Sequence, residues 1–202
     1  MLSQLPALQV VFPLIAAPLC VIIRNKDLTC FITQVVSWIS FVISLILLQQ
    51  VIHGNEISYA LGGWLAPIGI EYKIDILNAF ILVIVSGISS IVTTYAKRSV
   101  EFEIDSEKYY LFYTGYLLMF TGLLGMTITG DAFNVFVFIE ISSLSSYAMI
   151  AMGKDRRAVS ASFTYLVMGT VGATFFLIGV GLMYSMTGTL NMADLSERLP
   201  KV

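Results

Sequence analysis

Six apolar stretches, each about as long as a bilayer is thick, govern what this chain can fold into. A membrane-spanning helix needs roughly 20 predominantly apolar residues. Such stretches run over 8–23, 30–52, 76–95, 110–129, 132–152 and 161–186. The first is short and holds Pro13 and Pro18, whereas the last is long enough to tilt. In lipid, backbone amides and carbonyls must be satisfied inside the segment, so runs of this length form helices. The expectation is an all-α membrane protein with six transmembrane helices. Composition agrees. Of 202 residues, 57% are hydrophobic and 12% charged, against about 25% charged in a soluble domain. The net charge of −2 and the lack of a basic run give no support for a nucleic-acid partner. No basic residue precedes the first apolar stretch, so no cleaved signal peptide is expected.

Lysine and arginine placement sets the orientation of such a chain. Arg24, Lys26, Lys97, Arg98, Lys108, Lys154, Arg156 and Arg157 all fall in the loops of one side. Only Lys73, Arg198 and Lys201 fall on the other. This bias places both termini outside a cell (cytoplasmic or inner) membrane. On the outer side, ISYAL and IGIEYKID alternate in polarity around Gly62, Gly63 and Pro67, which predicts a short hairpin. The inner segment KRSVEFEIDSEKYY mixes both charge signs and reads as a solvated connector. The tail from Asn191 reads as the start of an amphipathic or capped segment.

Against this background one residue stands out. Glu140 lies inside the apolar run DAFNVFVFIEISSLSSYAMIAM, nine residues after Asp131. At 1.5 Å per residue that is about 13–14 Å, near the bilayer midplane. A charge there costs roughly 2.5–3.5 kcal/mol on insertion scales, so such an acid reads as functional by default. Helical spacing puts Phe133, Phe136, Val137, Ser143, Leu144 and Tyr147 on the same face. The outward half of that face is apolar, and the inward half carries the hydroxyls of Ser143 and Tyr147, with Ser142, Ser145 and Ser146 close by. Hydroxyls donate to a carboxylate or order water beside it. The pattern suggests a half-path, wetter toward the inside, on which Glu140 loads and releases a proton. The alternative is a neutral glutamate that hydrogen-bonds a neighbouring helix.

Other polar residues read as structural. Asp131 in TGDAFN and Asp75 before the third span suit N-caps, whose carboxylates bond the first free helix amides. Asp131 is nonetheless kept as a supporting site residue for its place at the outer end of the Glu140 helix. His53 reads as an interfacial residue and has no second histidine to complete a site. Cys20 and Cys30 read as small apolar fillers, with no spacing for a metal or disulfide. No cofactor or metal is expected. Thr121, Gly125 and Thr129 in the fourth span, and Gly169, Gly172 and Ala173 in the sixth, offer close helix approach. They predict that the fourth to sixth spans pack as a unit.

Three segments carry a resemblance: GGWLAPIGIEYKIDILNAFILVI, GLLGMTITGDAFNVFVFIEISSLSSYAMIA and TYLVMGTVGATFFLIGVGLMYSMTGTLNMADL. They resemble the antiporter-like subunits related to respiratory complex I, and within these the D-type subunits of Mrp multisubunit sodium/proton antiporters. Similar subunits occur in membrane-bound hydrogenases. The resemblance implies a 14-helix core built on two inverted five-helix repeats. It implies that the essential glutamate of the fifth helix falls on Glu140, paired in the family with a lysine on a broken seventh helix. Residues 1–109 would then be three leading helices with the outer loop, and residues 110–202 the first three helices of the first repeat with a short tail. No lysine lies within the six spans, so a truncated or split form, or an incomplete gene product, is expected, with a Glu140 site that another chain could complete.

The function this implies is that of a membrane subunit in a cation/proton antiporter or complex-I-like assembly, moving protons and, in the family, sodium. Its partners would be other membrane subunits and the lipid bilayer. The alternative is a structural or assembly subunit in which Glu140 is inert. An enzyme acting on a quinone finds little support, because the chain has no nucleotide fingerprint and no cysteine cluster.

Overall fold

The computed structural model describes residues 4–54 and 56–201. Its six long helices are α1 (Leu5–Ile23), α2 (Lys26–Ile52), α3 (Ile76–Glu103), α4 (Tyr109–Ile128), α5 (Ala132–Ala151) and α6 (Arg156–Thr187). All six are long and apolar enough to cross a membrane. A short helix α7 (Met192–Arg198) follows. Strands β1 (Ile57–Ala60) and β2 (Glu71–Ile74) pair antiparallel between α2 and α3, with Ile57 opposite Ile74 and Ala60 opposite Glu71. The hairpin is therefore where the alternating pattern put it. Gly62, at φ 65°, takes the left-handed backbone its loop requires.

Five of the helices start where the sequence supplies a cap. Asn25, Asp75, Asp131, Asp155 and Asn191 accept from the first free amides of α2, α3, α5, α6 and α7. The tail is thus a capped segment, as expected. Gly188 ends α6 in the left-handed region, at φ 72°.

The connector over 97–110 departs from expectation. Helix α3 runs on to Glu103, and a 3-10 turn covers Ser106–Lys108. Val100, Ile104 and Tyr109 bury themselves as a small apolar cluster below the bundle. Lys26 pairs with Glu101 at 2.8 Å and Lys97 with Asp27 at 2.7 Å, tying α2 to this extension. The charges that suggested a loop instead decorate a helix.

The packing also differs in one respect. Helix α4 sits between α1 and α5, while α6 packs chiefly on α5. The fourth to sixth helices do form a row, but the row is anchored through α4 to the leading helices. Phe120, Leu124 and Ile128 of α4 join Leu47, Leu82 and Ile74 in the main apolar core. Against α5, α4 offers Gly122 and Gly125, where any Cβ would collide with Phe138 or Ser142. The Gly172 position meets nothing within 4 Å, so this member of the expected contact stripe faces open space.

Both ends of the bundle are stitched by main-chain bonds. At one end Ile104 bridges Gly153, and the Lys154 amide donates to Glu103 O at 3.0 Å. This end gathers Arg24, Lys108 and Lys154, together with Arg156 and Arg157 in the first turn of α6. At the other end Tyr72 bridges Thr129, and Asp131 bridges Asn191. The hairpin, the α4–α5 turn and the segment before α7 thus form one belt.

Candidate functional site

The site is built on α5. Phe138, Ser142, Ser145 and Met149 look toward the glycines of α4, and Phe138, Ser142 and Ser145 are buried there. Glu140 is two residues beyond Phe138, about 200° round the helix, on the side turned away from α4. It is partly buried. The five ion pairs of the described residues all lie at the bundle's ends, and none includes Glu140.

Ser143 and Tyr147 share this side with Glu140, at spacings of three and seven residues. The hydroxyls of Ser145 and Ser146 bond back to Ile141 O and Ser142 O within their own helix. No such back-bond is made by Ser143. Tyr147 is buried at the α5–α6 contact. Its ring meets Tyr165 edge-on, centroids 4.9 Å apart, and its carbonyl accepts from Ser162 Oγ at 2.7 Å. Phe133 and Leu144, also on this side, are exposed, 44% and 52%. The Glu140 face is therefore covered by α6 along one edge and open along the other.

Asp131 lies apart from this group, at the outer end of α5. Its carboxylate accepts from the Asn134 amide at 2.7 Å, which is the capping role. Asn134 in turn donates to Thr129 Oγ1 at 3.0 Å. The structure thus brings Glu140, Ser143 and Tyr147 to one face and leaves Asp131 as the peg that fixes where that helix begins. His53 is exposed at the C-terminal end of α2. Cys20 and Cys30 are buried and unbridged.

A further polar feature emerges only in the folded bundle. Thr29, Thr33, Ser37, Ser40 and Ser44 of α2 and Ser86, Ser89, Ser90 and Thr93 of α3 are all buried, and Ser37 and Ser44 meet Ser89 and Ser86 across the contact of the two helices. Ser90 Oγ donates to Ser37 O at 2.9 Å, and Ser89 Oγ lies 2.9 Å from the Tyr116 hydroxyl of α4. Gln9 of α1 donates to Ser44 Oγ at 2.8 Å and to Ser40 O at 3.1 Å. The sequence does carry its signal: the hydroxyls recur at helical spacing along apolar runs, the pattern of interhelical hydrogen bonding in membranes.

Comparison with known proteins places this geometry. Residues 129–201 match the family described as "NADH:quinone oxidoreductase/Mrp antiporter, TM". Over 99% of its length the chain is 39% identical to the N subunit of the NADH-quinone oxidoreductase of Desulforudis audaxviator, covering 40% of that protein. It is 35% identical to the D-type subunit of the Na(+)/H(+) antiporter of Bacillus subtilis, over 95% of the chain and 38% of that protein. Among solved structures, a chain of the membrane-bound sulfane sulfur reductase, an archaeal respiratory membrane complex, superposes with a TM-score of 0.87. That match has 35% identity and covers 96% of this chain and 40% of the other. A chain of the Mrp complex from a Dietzia species gives 0.85 at 25% identity, covering 96% and 36%. The resemblance read from the sequence is thereby borne out, and so is the fold class of a helical membrane protein. The chain spans about 40% of the length of the curated relatives it matches.

Proposed function

We propose that this chain, so similar to the leading part of antiporter-like subunits, serves as a membrane subunit of a multisubunit cation/proton antiporter or complex-I-like proton-translocating assembly. Glu140 is its proton-handling carboxylate. The observation that carries this reading is the placement of Glu140. It is an acid deep in an apolar helix, on a face with two hydroxyl groups, with no ion-pair partner among the described residues. Placing an acid there has a cost that a purely structural contact does not need. A carboxylate left without a fixed cation can gain and lose a proton as its surroundings change.

The open edge of the same face fits a helix from the remainder of such an assembly, supplying the cationic partner. Other membrane subunits are the expected partners, with protons, and in an antiporter sodium, as the transported ions. The gathering of basic residues at the Arg156–Arg157 end supports an inner-membrane orientation with both termini outside.

A second reading is favoured by the same missing ion pair: a structural subunit in which Glu140 stays neutral and inert. The two separate in the full assembly. Glu140→Ala should abolish or strongly reduce proton-coupled transport in membrane vesicles, and Glu140→Asp, which keeps the acid on a shorter stem, should retain part of it. Equal transport by both variants and the parent would leave the structural reading.

A further inference from the structure

The tyrosine two turns from Glu140 is held in an unusual way. The Tyr147 carbonyl meets Ser162 of α6, whereas its phenol oxygen lies against Gly169, seven residues further along the same helix. Helices α5 and α6 are joined by a short turn and run antiparallel. Moving from Ser162 to Gly169 is therefore moving back along α5, toward Glu140, by about 10 Å. The side chain follows the usual lean of helical side chains toward the helix N-terminus. The phenol thus reaches back over the Ser143 turn, so its oxygen is much nearer the carboxylate level than its own backbone is. The place it reaches exists only because residue 169 has no side chain: a Cβ there would overlap the hydroxyl oxygen and lie 2.7 Å from the ring carbon that bears it. Tyr165 closes the other side, edge-on at 4.9 Å.

We propose that Gly169 is a positioning residue for proton transfer, a notch in α6 that seats the Tyr147 hydroxyl as the next group after Glu140 toward the basic end. This rests on the reading of Glu140 as the proton-handling acid. The transfer balances without a charged tyrosine. The phenol oxygen accepts a proton from the Glu140 side, directly or through the Ser143 hydroxyl, and gives its own proton to a water molecule on the side of the basic end. It is a neutral phenol before and after.

The test is proton-coupled transport by the full complex in membrane vesicles, normalised to assembled complex, with thermal stability measured in parallel. Gly169→Ala should reduce the rate at least about tenfold, since a displacement of one ångström in a reacting group can cost more than that. Gly172→Ala, one turn away with open space at its Cβ position, should transport like the parent. Tyr147→Phe should also transport slowly. Adding Tyr147→Phe to Gly169→Ala removes the hydroxyl oxygen, the atom the new methyl overlaps most, and leaves the ring carbon at 2.7 Å. That double variant should regain part of the lost stability but stay as slow as Tyr147→Phe, which a packing role alone would not produce. If Gly169→Ala fails to assemble, Tyr147→Phe alone keeps the test decisive, since parent-like transport by that variant would overturn the proposal. Parent-like transport by assembled Gly169→Ala, or recovery of transport together with stability in the double variant, would overturn the proposal. Glu140→Gln measured alongside tells the two readings apart. Transport lost there but kept in Gly169→Ala removes only the notch, and transport kept in both removes the Glu140 reading as well.

Discussion

Ser86 Oγ of α3 and Ser44 Oγ of α2 lie 2.9 Å apart in the closed interior of the leading helices. Gln9 of α1 donates to the same Ser44 hydroxyl, so one serine joins three helices. Ser44→Ala should therefore destabilise the bundle by about 1 kcal/mol, in the range measured for interhelical hydrogen bonds in membranes. Ser99→Ala, on the far end of α3, should change little. Unfolding titrations in mixed micelles would register the difference, and equal midpoints for the two variants would show that Ser44 joins nothing of consequence.

The contact of α4 with α5 depends on glycine. A Cβ at Gly122 would fall 2.6 Å from Phe138 O and 2.7 Å from Ser142 Cβ. Backbone and a buried serine cannot yield as a flexible side chain would. Gly122→Ala should cost about 1–3 kcal/mol through overpacking, whereas Gly179→Ala, with nothing within 4 Å of its Cβ position, should be tolerated. The same titration distinguishes them. Similar midpoints would argue that the two helices separate without penalty.

Asn191 has two duties at the outer end. Its Oδ1 accepts from the Ala193 and Asp194 amides, and its Nδ2 donates to Glu71 Oε2 at 3.2 Å. Asn191→Ala should lose about 1 kcal/mol of capping and loosen α7 from the hairpin. Amide hydrogen exchange over 192–198 should quicken, with exchange over 132–151 little changed. Unaltered exchange over α7 would mean that the cap does not hold it.

Orientation can be tested by cysteine labelling. A cysteine replacing Arg157, in the basic end, should react with an impermeant reagent only after cells are opened. One replacing Ser196 should react in intact cells. The reverse pattern would invert the topology inferred from the basic residues.

What the sequence made legible had a local physical cause. The six helices followed from length and apolarity, and the hairpin from alternation around Gly62. Capping by Asp75 and Asp131 followed from residue type and position. Glu140 stood out because a carboxylate in an apolar helix is costly wherever the helix packs. The rest depended on tertiary contacts. Helix α3 continues past Lys97 because Val100 and Ile104 find Tyr109 to pack on and because Lys26 meets Glu101, pairings that sequence distance hides. The role of Gly169 could not be separated from that of Gly172 by spacing alone. Only the register of α6 on α5 shows that one accommodates Tyr147 and the other faces open space.

Whether Glu140 carries a proton is decided by Glu140→Gln. Glutamine preserves size and hydrogen-bonding capacity but does not titrate. In the full assembly, purified at parental subunit composition and reconstituted in vesicles, Glu140→Gln should lose proton-coupled transport while Glu140→Asp keeps a measurable fraction. Transport by assembled Glu140→Gln at the parental rate would contradict the proton-handling role and leave Glu140 as a structural contact.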